Sequence, residues 1–324
     1  MPMENKIKVG IIGAGGRANF QAKSIFASGI GEPAIVYSPF EDEVRKFAQQ
    51  YGIQYTTSLQ EVLSNKEISA ITISTPNATH FEISKQGLLH GKNILVEYPP
   101  TLNIQEIDEL ISIAEQKGLV YWVSLTQLLE NPYYTIKKNI KDIGEIIFSS
   151  YSFISSYLGG WYADPGLCGP LYTWQHFHFV SQILDVQDDV ESVYAFENIK
   201  YSDDGKMVST SSIMTLKFIS GGISTIEFAM GIKNTRDFKM EFVGDNGMFY
   251  FNENKLCYAD KKTGKKEISL EESNLGVDTA NFLKRILQKQ VSVETATKAR
   301  KILNVCLCAD ISAKEGRIVK MQKI

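Results

Sequence analysis

Long apolar runs and a strong charge imbalance are both missing from this 324-residue sequence. No apolar segment approaches the ~18 residues that a membrane-spanning helix needs. Only six residues precede the first strand-like run, which leaves no room for a signal peptide. The formal net charge of −3 gives no basic surface for nucleic acid or an anionic membrane. We therefore expect a cytoplasmic protein with no nucleic-acid partner and no membrane contact.

Cysteine is scarce as well. The four cysteines are Cys168, Cys257, Cys306 and Cys308, and none lies at the spacing of a metal-ligand pair. We expect four reduced thiols and no metal site.

The first third of the sequence alternates short β-branched runs with amphipathic helices. Strict alternation of strand and helix predicts right-handed βαβ units and a doubly wound parallel sheet, which is the Rossmann architecture. We assign residues 1–125 to this α/β domain. Its predicted strands are Ile7–Ile12, Ala34–Tyr37, Ala70–Ser74, Asn93–Val96 and Val120–Leu125.

From about residue 131 onward, long β-rich stretches are separated by glycine turns. They predict an open, mostly antiparallel sheet, interrupted by one helix near 171–184 and followed by helices near 277–290 and 294–315. We assign residues 126–324 to an α+β domain for substrate binding and oligomerisation. The chain length agrees with two domains of about 150 residues each.

The first predicted strand runs directly into Gly-Ala-Gly-Gly-Arg-Ala at residues 13–18, and a helix is predicted over 17–28. This is a G-x-G-x-x-A loop between a strand and a helix. Gly13 permits the tight turn, Gly15 lets the backbone approach a pyrophosphate, and Ala18 lets helix and strand pack closely. The N–H groups of the helix N-terminus face the anion. The loop therefore predicts a dinucleotide cofactor, NAD or NADP.

The second predicted strand ends at Ser38, where an NAD-preferring domain carries Asp or Glu. A carboxylate accepts hydrogen bonds from the ribose hydroxyls and repels a 2′-phosphate, whereas serine does not repel it. Arg17 is a candidate cation beside that phosphate. NADP is therefore slightly favoured over NAD. The alternative is that Ser38 only caps the following helix and that the preference is loose.

Two further motifs carry a resemblance to the Gfo/Idh/MocA oxidoreductases, and it extends over most of the chain. Residues 73–80, Ile-Ser-Thr-Pro-Asn-Ala-Thr-His, resemble the family's T-P-N-x-x-H segment. Residues 91–99, Gly-Lys-Asn-Ile-Leu-Val-Glu-Tyr-Pro, resemble its G-K-x-V-x-x-E-K-P segment. The resemblance implies a homodimer or homotetramer formed through the C-terminal sheet. It also implies cofactor contacts from Gly13, Gly15, Gly16, Arg17, Ser38, Thr75, Pro76, Asn77, His80 and Glu97.

The sequence departs from the family pattern at two of its three polar catalytic positions. Tyr98 stands where the family has its catalytic lysine, and this Glu-Tyr-Pro version is also seen in biliverdin reductases. In the segment that resembles the family's G-G-x-x-x-D-x-x-x-H helix, Trp174 replaces the aspartate and His178 keeps the histidine. Trp174 and His178 are four residues apart, so we expect them on the same side of one helix.

These replacements favour reduction over oxidation. A tyrosine, with a pKa of about 10, donates a proton at neutral pH and accepts one poorly. His178 can supply or recover a proton as well. We therefore predict an NAD(P)-dependent oxidoreductase that reduces a C=O, C=N or conjugated C=C bond, with Tyr98 and His178 as catalytic residues. The alternatives are that Tyr98 is a packing ring and that His178 is a buried structural histidine.

The substrate pocket is expected to be aromatic and to suit a flat or apolar small molecule. We assign substrate contacts to Tyr98, Trp161, Trp174 and His178. Two other functions stay open: a dinucleotide- or metabolite-binding sensor without catalysis, and a sugar or polyol dehydrogenase. The aromatic side chains that crowd this segment are Tyr157, Trp161, Tyr162, Tyr172, Trp174 and Phe177.

Overall fold

The computed structural model describes residues 6–321 of the chain. The strands are β1 (Ile7–Ile12), β2 (Gly31–Tyr37), β3 (Gln54–Thr56), β4 (Ala70–Ile73), β5 (Asn93–Val96), β6 (Tyr121–Val123), β7 (Ile146–Ser155), β8 (Val190–Tyr201), β9 (Met207–Phe218), β10 (Ile223–Met230), β11 (Arg236–Gly244), β12 (Met248–Asn252), β13 (Lys255–Asp260), β14 (Gly264–Ile268) and β15 (Val319–Lys320). The helices are α1 (Gly16–Ser28), α2 (Glu41–Tyr51), α3 (Leu59–Ser64), α4 (His80–Leu89), α5 (Ile104–Lys117), α6 (Tyr133–Asn139), α7 (Pro165–Cys168), α8 (Leu171–Gln175), α9 (Phe177–Val186), α10 (Gly276–Leu287) and α11 (Glu294–Glu315). None of the described helices is long and apolar enough to cross a membrane.

The chain divides into two compact units. The first comprises Met1–Thr126 and Asn274–Lys301, and the second comprises Gln127–Ser273 and Ile302–Ile324. The first unit therefore takes in residues 274–301, which the sequence analysis grouped with the second domain.

The first unit is built on a six-stranded sheet in the order β3-β2-β1-β4-β5-β6, with every neighbouring pair parallel. This is the strand order of a Rossmann fold, so the predicted α/β architecture is confirmed. Val9, Ile11 and Ile12 of β1 have no exposed surface, which agrees with the near-continuous apolar runs of a sheet covered on both faces. The edge strand β3 escaped prediction because it has only three residues, two of them exposed.

Helix α10 packs on the Rossmann sheet although it follows the second domain's strands in the chain. Phe282 and Leu283 are fully buried in an apolar cluster with Val9 of β1 and Ile25 of α1. The amphipathic pattern of α10 predicts its helical state and its apolar face. It contains no information about which of two sheets that face covers, because its partners are distant in the chain: Val9 and Ile25 lie more than 250 positions earlier.

The second unit is built on a nine-stranded sheet in the order β14-β13-β12-β11-β7-β10-β9-β8-β15. All neighbouring pairs are antiparallel except β7 and β10. Buried and exposed residues alternate along β9 at its C-terminal half, so one face covers the core and the other is open within this chain. The predicted open, mostly antiparallel sheet is confirmed, with the β13–β14 hairpin as an addition.

The helix predicted near 171–184 is present as two helices, α8 and α9, which meet at His176. The expected pair therefore lies on two consecutive helices, with Trp174 in α8 and His178 in α9. His176 itself is fully buried, and its Nε2 lies 2.7 Å from Ser212 Oγ on β9.

Candidate dinucleotide and active-site residues

The glycine loop joins the end of β1 to the start of α1 and is pinned to both neighbouring strands. Gly13 has a φ of +106°, and its N–H donates a 2.8 Å hydrogen bond to the carbonyl of Tyr37 at the end of β2. A Cβ on Gly13 would lie 2.4 Å from the carbonyl oxygen of Ser74, just after β4. Only glycine fits this left-handed position under a neighbouring backbone.

The next two glycines face open space instead. Gly15 is the N-cap of α1 and contributes no side-chain cap, and a Cβ on Gly15 or on Gly16 would meet nothing within 4 Å. The first N–H groups of a helix lack intrahelical partners and carry positive partial charge. Ala18 is fully buried and lets α1 lie close to the sheet. The N-terminus of α1 thus offers free N–H groups next to a space that no side chain fills, and such a site suits the pyrophosphate of a dinucleotide.

Arg17 does not reach toward the ribose side of this loop. Its guanidinium donates to Glu97 Oε2 at 2.9 Å and to Thr126 Oγ1 at 3.0 Å. Glu97 follows β5, whereas Ser38 follows β2, and these strands lie on opposite sides of β1 in the sheet. The expectation that Arg17 neighbours a 2′-phosphate beside Ser38 is therefore not met by this geometry, because the buried Glu97 carboxylate holds the guanidinium on the other side.

Ser38 does not cap α2, contrary to one of the two interpretations of its role. Helix α2 begins at Glu41 with Phe40 as its N-cap, and it has no side-chain cap. The buried Ser38 hydroxyl instead accepts a 3.3 Å hydrogen bond from the N–H of Phe40 inside the turn after β2. The end of β2 thus carries a small polar residue and no carboxylate.

The 73–80 segment lies at the carboxyl end of β4, and hydrogen bonds of its own side chains hold it in place. Thr75 Oγ1 and Thr79 Oγ1 are 2.7 Å apart, and Asn77 is buried. His80 is also buried, with Nδ1 2.8 Å from the carbonyl oxygen of Pro99 and Nε2 2.9 Å from that of Thr75. Both ring nitrogens therefore contact the backbone, so His80 joins the loop after β4 to the loop after β5. Pro76, between Thr75 and Asn77, is half-buried.

Burial and hydrogen bonding act on His80 in opposite directions. Burial lowers the pKa of His80, while the carbonyl groups of Pro99 and Thr75 and the nearby Glu97 charge raise it, and burial is the largest effect. Each carbonyl oxygen is an acceptor, so a neutral ring satisfies one of them with its single N–H.

Glu97 and Tyr98 stand at the carboxyl end of β5. Glu97 is buried, and its Oε1 accepts a 2.8 Å hydrogen bond from Gln21 Nε2 of α1 in addition to the Arg17 contact. Tyr98 is half-buried in the bend that follows. The carboxyl ends of the neighbouring strands β1, β4 and β5 thus hold the glycine loop, the 73–80 segment and the Glu97–Tyr98 pair side by side, where open α/β sheets bind their ligands.

A group of polar residues near Glu97 could not be predicted from the sequence. Thr279 of α10 donates a 2.8 Å hydrogen bond to Gln21 Oε1, and Trp122 Nε1 donates a 2.9 Å bond to Asp278 Oδ1. Burial raises the pKa of Asp278 to about 6. Gln21 offered one signal, a polar residue on the apolar face of α1. Asp278 and Thr279 offered none, because their partners lie on distant strands and helices.

The aromatic segment of the second unit is a stack of rings in contact with one another. Trp161 and Tyr162 stack with ring centroids 3.8 Å apart, and Tyr162 and Trp174 lie 5.5 Å apart. Trp174 is 8% exposed. Tyr172 and Phe177 have no exposed surface, so these two belong to the core. Trp161, Trp174 and His178 thus belong to one unit, and Tyr98 belongs to the other.

His178 lies near the start of α9 and pairs with a carboxylate. Its Nε2 is 3.4 Å from Glu130 Oε2, and the side chains of His178 and Glu130 are 24% and 37% exposed. The residues described, 6–321, contain no group of three or more His, Cys, Asp or Glu side chains placed to hold a metal ion.

Comparison with known proteins places this geometry in a family. Residues 7–125 match the Gfo/Idh/MocA model, described as an oxidoreductase family with an NAD-binding Rossmann fold. The chain is 28% identical over 146 residues to scyllo-inositol 2-dehydrogenase (NAD(+)) of Bacillus subtilis, which is 44% of this chain and 42% of that protein. It is 35% identical over 103 residues to human biliverdin reductase A, which is 31% of this chain and 34% of that protein.

These alignments span less than half the length of either relative. Similarity over the whole chain comes from structure. A biliverdin reductase from Synechocystis sp. PCC 6803, solved with biliverdin and NADP+, matches with a TM-score of 0.86 at 22% identity, over 95% of this chain and 98% of that one. At this identity the match establishes the shared two-domain fold. The resemblance predicted from the glycine loop and the two later motifs is confirmed for residues 7–125, which match the NAD-binding Rossmann domain of the Gfo/Idh/MocA oxidoreductases.

Proposed function

We propose that this protein is an NAD(P)H-dependent reductase of a C=O, C=N or conjugated C=C bond in a flat or apolar small molecule. The observation that carries the proposal is the row of motifs at the carboxyl ends of β1, β4 and β5. The uncapped N-terminus of α1 there suits a pyrophosphate, and Tyr98, a proton donor, occupies the position of the family's lysine.

The roles of the chain's own residues follow from this arrangement. The N–H groups at the start of α1 bind the pyrophosphate, and Gly15 and Gly16 keep the space above them clear. The reduced nicotinamide, when bound, supplies a hydride. The Tyr98 hydroxyl donates the proton that completes the reduction, and His178 is a second candidate donor. A lysine or aspartate that could take a proton from an alcohol is lacking at both family positions, which argues against a sugar or polyol dehydrogenase.

A linear tetrapyrrole is the first substrate to test. Human biliverdin reductase A and the Synechocystis enzyme are both named for biliverdin, and the Glu-Tyr-Pro motif resembles theirs. Trp161 and Trp174 provide apolar rings that suit a flat conjugated molecule. Enones, imines and aryl aldehydes extend the panel to the other bond types.

The decisive experiment begins with fluorescence titration of the protein with NADPH and, separately, with NADH. We expect binding in the micromolar range, followed by consumption of the reduced cofactor with at least one flat electrophile.

Tyr98→Phe should lower that turnover by about 10²–10⁴-fold if the hydroxyl is the general acid. Cofactor binding without turnover on the whole panel would favour the sensor. Oxidation of inositols or sugars with NAD(P)+ would favour the dehydrogenase. Absence of nucleotide binding would refute both the reductase and the dehydrogenase and would leave a metabolite-binding sensor or a scaffold as the better account.

The proposal includes a cytoplasmic homodimer or homotetramer formed through the open face of the nine-stranded sheet. Phe196 of β8 and Ile213 of β9 are register partners on that face, with 54% and 37% of their surface exposed. Apolar side chains paired across exposed strands are typical of an interface between subunits. Sedimentation velocity tests this, and Phe196→Asp with Ile213→Asp should dissociate the oligomer.

A further inference from the structure

We propose that Glu130 is the positioning residue of His178 and supplies the carboxylate that this chain lacks at position 174. The proposal rests on the function proposed above, in which His178 is a candidate proton donor. Trp174 stands where the resemblance predicts an aspartate, four residues before the histidine. The carboxylate beside His178 comes instead from the segment that precedes α6.

One face of α9 contacts residues 127–133, the loop before α6 and the first residue of α6, at three successive points. His178 Nε2 lies 3.4 Å from Glu130 Oε2. Gln182, one turn further along α9, donates a 2.7 Å hydrogen bond to the carbonyl of Gln127. Asp185, almost another turn along, accepts a 2.7 Å hydrogen bond from the hydroxyl of Tyr133. Residues 178, 182 and 185 share one helix face, so the three contacts fix the register of α9 against residues 127–133.

The two neighbouring contacts hold the backbone on both sides of Glu130 in place. Gln127 and Gln182 are buried, and Tyr133 is 1% exposed, so both flanking contacts belong to the core of this unit. At the C-terminal end of α9, Asp185 forms an ion pair with Lys137 of α6, with Lys137 Nζ 2.5 Å from Asp185 Oδ2. Glu130 and His178 lie at the opposite end of α9, and both side chains are partly exposed, as a proton donor that meets a substrate must be.

A carboxylate in this place has two effects on an imidazole. It fixes the ring orientation through Nε2, and it stabilises the protonated ring that donates during a reduction. The partial exposure of both side chains limits the size of the effect, because solvent screens the pair. We expect Glu130 to act through His178 and to make no separate contribution to turnover.

The kinetic test is a double-mutant cycle on Glu130→Gln and His178→Ala. With the wild-type His178, Glu130→Gln should lower kcat about 3-fold and leave the nucleotide Kd unchanged. In the His178→Ala protein, Glu130→Gln should have no further effect. Glu271→Gln is the matched control, because Glu271 is a half-exposed carboxylate of the same unit that pairs with Lys138 at 2.9 Å. Equal loss of kcat in both backgrounds would overturn the proposal.

A second measurement needs neither cofactor nor substrate. The ring signals of His178 are followed by NMR through a pH titration and are assigned by their loss in His178→Ala. Glu130→Gln should move the titration midpoint to lower pH by about half a unit, and Glu271→Gln should not move it. An unchanged midpoint overturns the pairing whatever the activity shows. A shifted midpoint in a protein that reduces nothing on the panel upholds the pairing and refutes the proposed function.

Discussion

His80 Nδ1 lies 2.8 Å from the carbonyl oxygen of Pro99, the residue that follows Tyr98. Through its other nitrogen the same ring contacts Thr75, so one side chain joins two loops at the carboxyl edge of the sheet. The family resemblance implies that His80 contacts the cofactor. The geometry favours a positioning role, because both nitrogens are occupied by the backbone and the ring is 1% exposed.

His80→Asn should therefore affect turnover more than cofactor binding. Releasing the Pro99 carbonyl loosens the segment that carries Tyr98, and misplacement by about 1 Å can cost about 10²-fold in rate. We expect kcat to fall 10- to 100-fold on this argument, while the Kd for the nucleotide changes by less than about 3-fold. His90→Asn is the control, because His90 is exposed at the end of α4. Parallel losses in kcat and in nucleotide affinity would restore His80 to the cofactor contacts.

The glycine loop provides a pair of variants with opposite outcomes. Gly13→Ala places a Cβ 2.4 Å from the Ser74 carbonyl at a φ of +106°, so we expect it to lose several kcal/mol of stability, on the order of 2–4 kcal/mol. Gly15→Ala meets nothing within 4 Å and has a φ of −82°, so its melting temperature should be close to that of the wild type.

Nucleotide binding should separate the same two variants. A methyl group on Gly15 fills the space in which the pyrophosphate approaches the backbone, so Gly15→Ala should weaken NAD(P)H binding at least about 100-fold without unfolding. Thermal unfolding and fluorescence titration of the same samples check both halves. Full affinity in Gly15→Ala would place the dinucleotide elsewhere.

The Arg17–Glu97 pair predicts that Arg17 stabilises the fold and does not select the cofactor. Arg17→Ala leaves the buried Glu97 carboxylate with Gln21 as its remaining side-chain donor among the hydrogen bonds described above, which should cost about 1–3 kcal/mol in the free energy of unfolding. The ratio of the NADPH and NADH affinities should stay the same within about 3-fold, since the guanidinium lies on the β5 side of β1. A large selective loss of NADPH affinity would contradict the geometry.

Ser38 is the position where cofactor preference should change. Ser38→Asp places a carboxylate at the end of β2, where it repels a 2′-phosphate and accepts hydrogen bonds from ribose hydroxyls. We expect the NADPH-to-NADH affinity ratio to fall at least about 10-fold. Ser38→Ala, which removes the hydroxyl without adding charge, is the control. An unchanged ratio in Ser38→Asp would show that the ribose is bound away from β2.

Local sequence patterns predict most of the secondary structure of this fold. β1 and β5 begin and end at the predicted residues, because apolar runs and the turn residues that bound them are adjacent in the sequence. The packing of α10 on the Rossmann sheet was not predictable in this way. Its partners are distant in the chain, and an amphipathic face specifies burial without specifying the surface that buries it.

In the candidate site too, the features that depend on adjacent residues were predictable and those that depend on tertiary packing were not. The glycine loop was identified with its consequences, because the steric need of Gly13 is local to a strand–turn–helix sequence. The direction of the Arg17 side chain could not be predicted, because it follows Glu97, a charge 80 residues later. Glu130 was missed altogether, since no spacing rule connects it to His178. Side-chain partners across the sheet are decided by tertiary packing, which a single sequence leaves open.

Asp310 of α11 makes the stability of the protein depend on pH. Burial raises the pKa of Asp310 to about 7, and its Oδ2 has no hydrogen-bond partner among the described residues, while Oδ1 accepts from the Tyr172 N–H at 3.4 Å. A carboxyl whose pKa is higher in the folded than in the unfolded state binds its proton more tightly when folded. Its contribution to stability is therefore complete below about pH 4 and is lost as the pH rises toward 7, by up to about 1.4 kcal/mol per pH unit.

Asp310→Asn should remove this loss, because an amide keeps the Oδ1 acceptor and carries no charge. The variant should match the wild type below about pH 4 and exceed its melting temperature by several degrees at pH 8, since about 1 kcal/mol corresponds to 2–4 °C in a protein of this size. His176 acts in the opposite direction, because burial lowers its pKa to about 3, but comparing two proteins at each pH cancels its contribution. Asp203→Asn in an exposed turn is the control. If Asp310→Asn is less stable than the wild type at pH 8, the prediction is wrong. The carboxylate would then be charged in the folded protein and stabilised by a partner whose interaction free energy exceeds the cost of burying the charge.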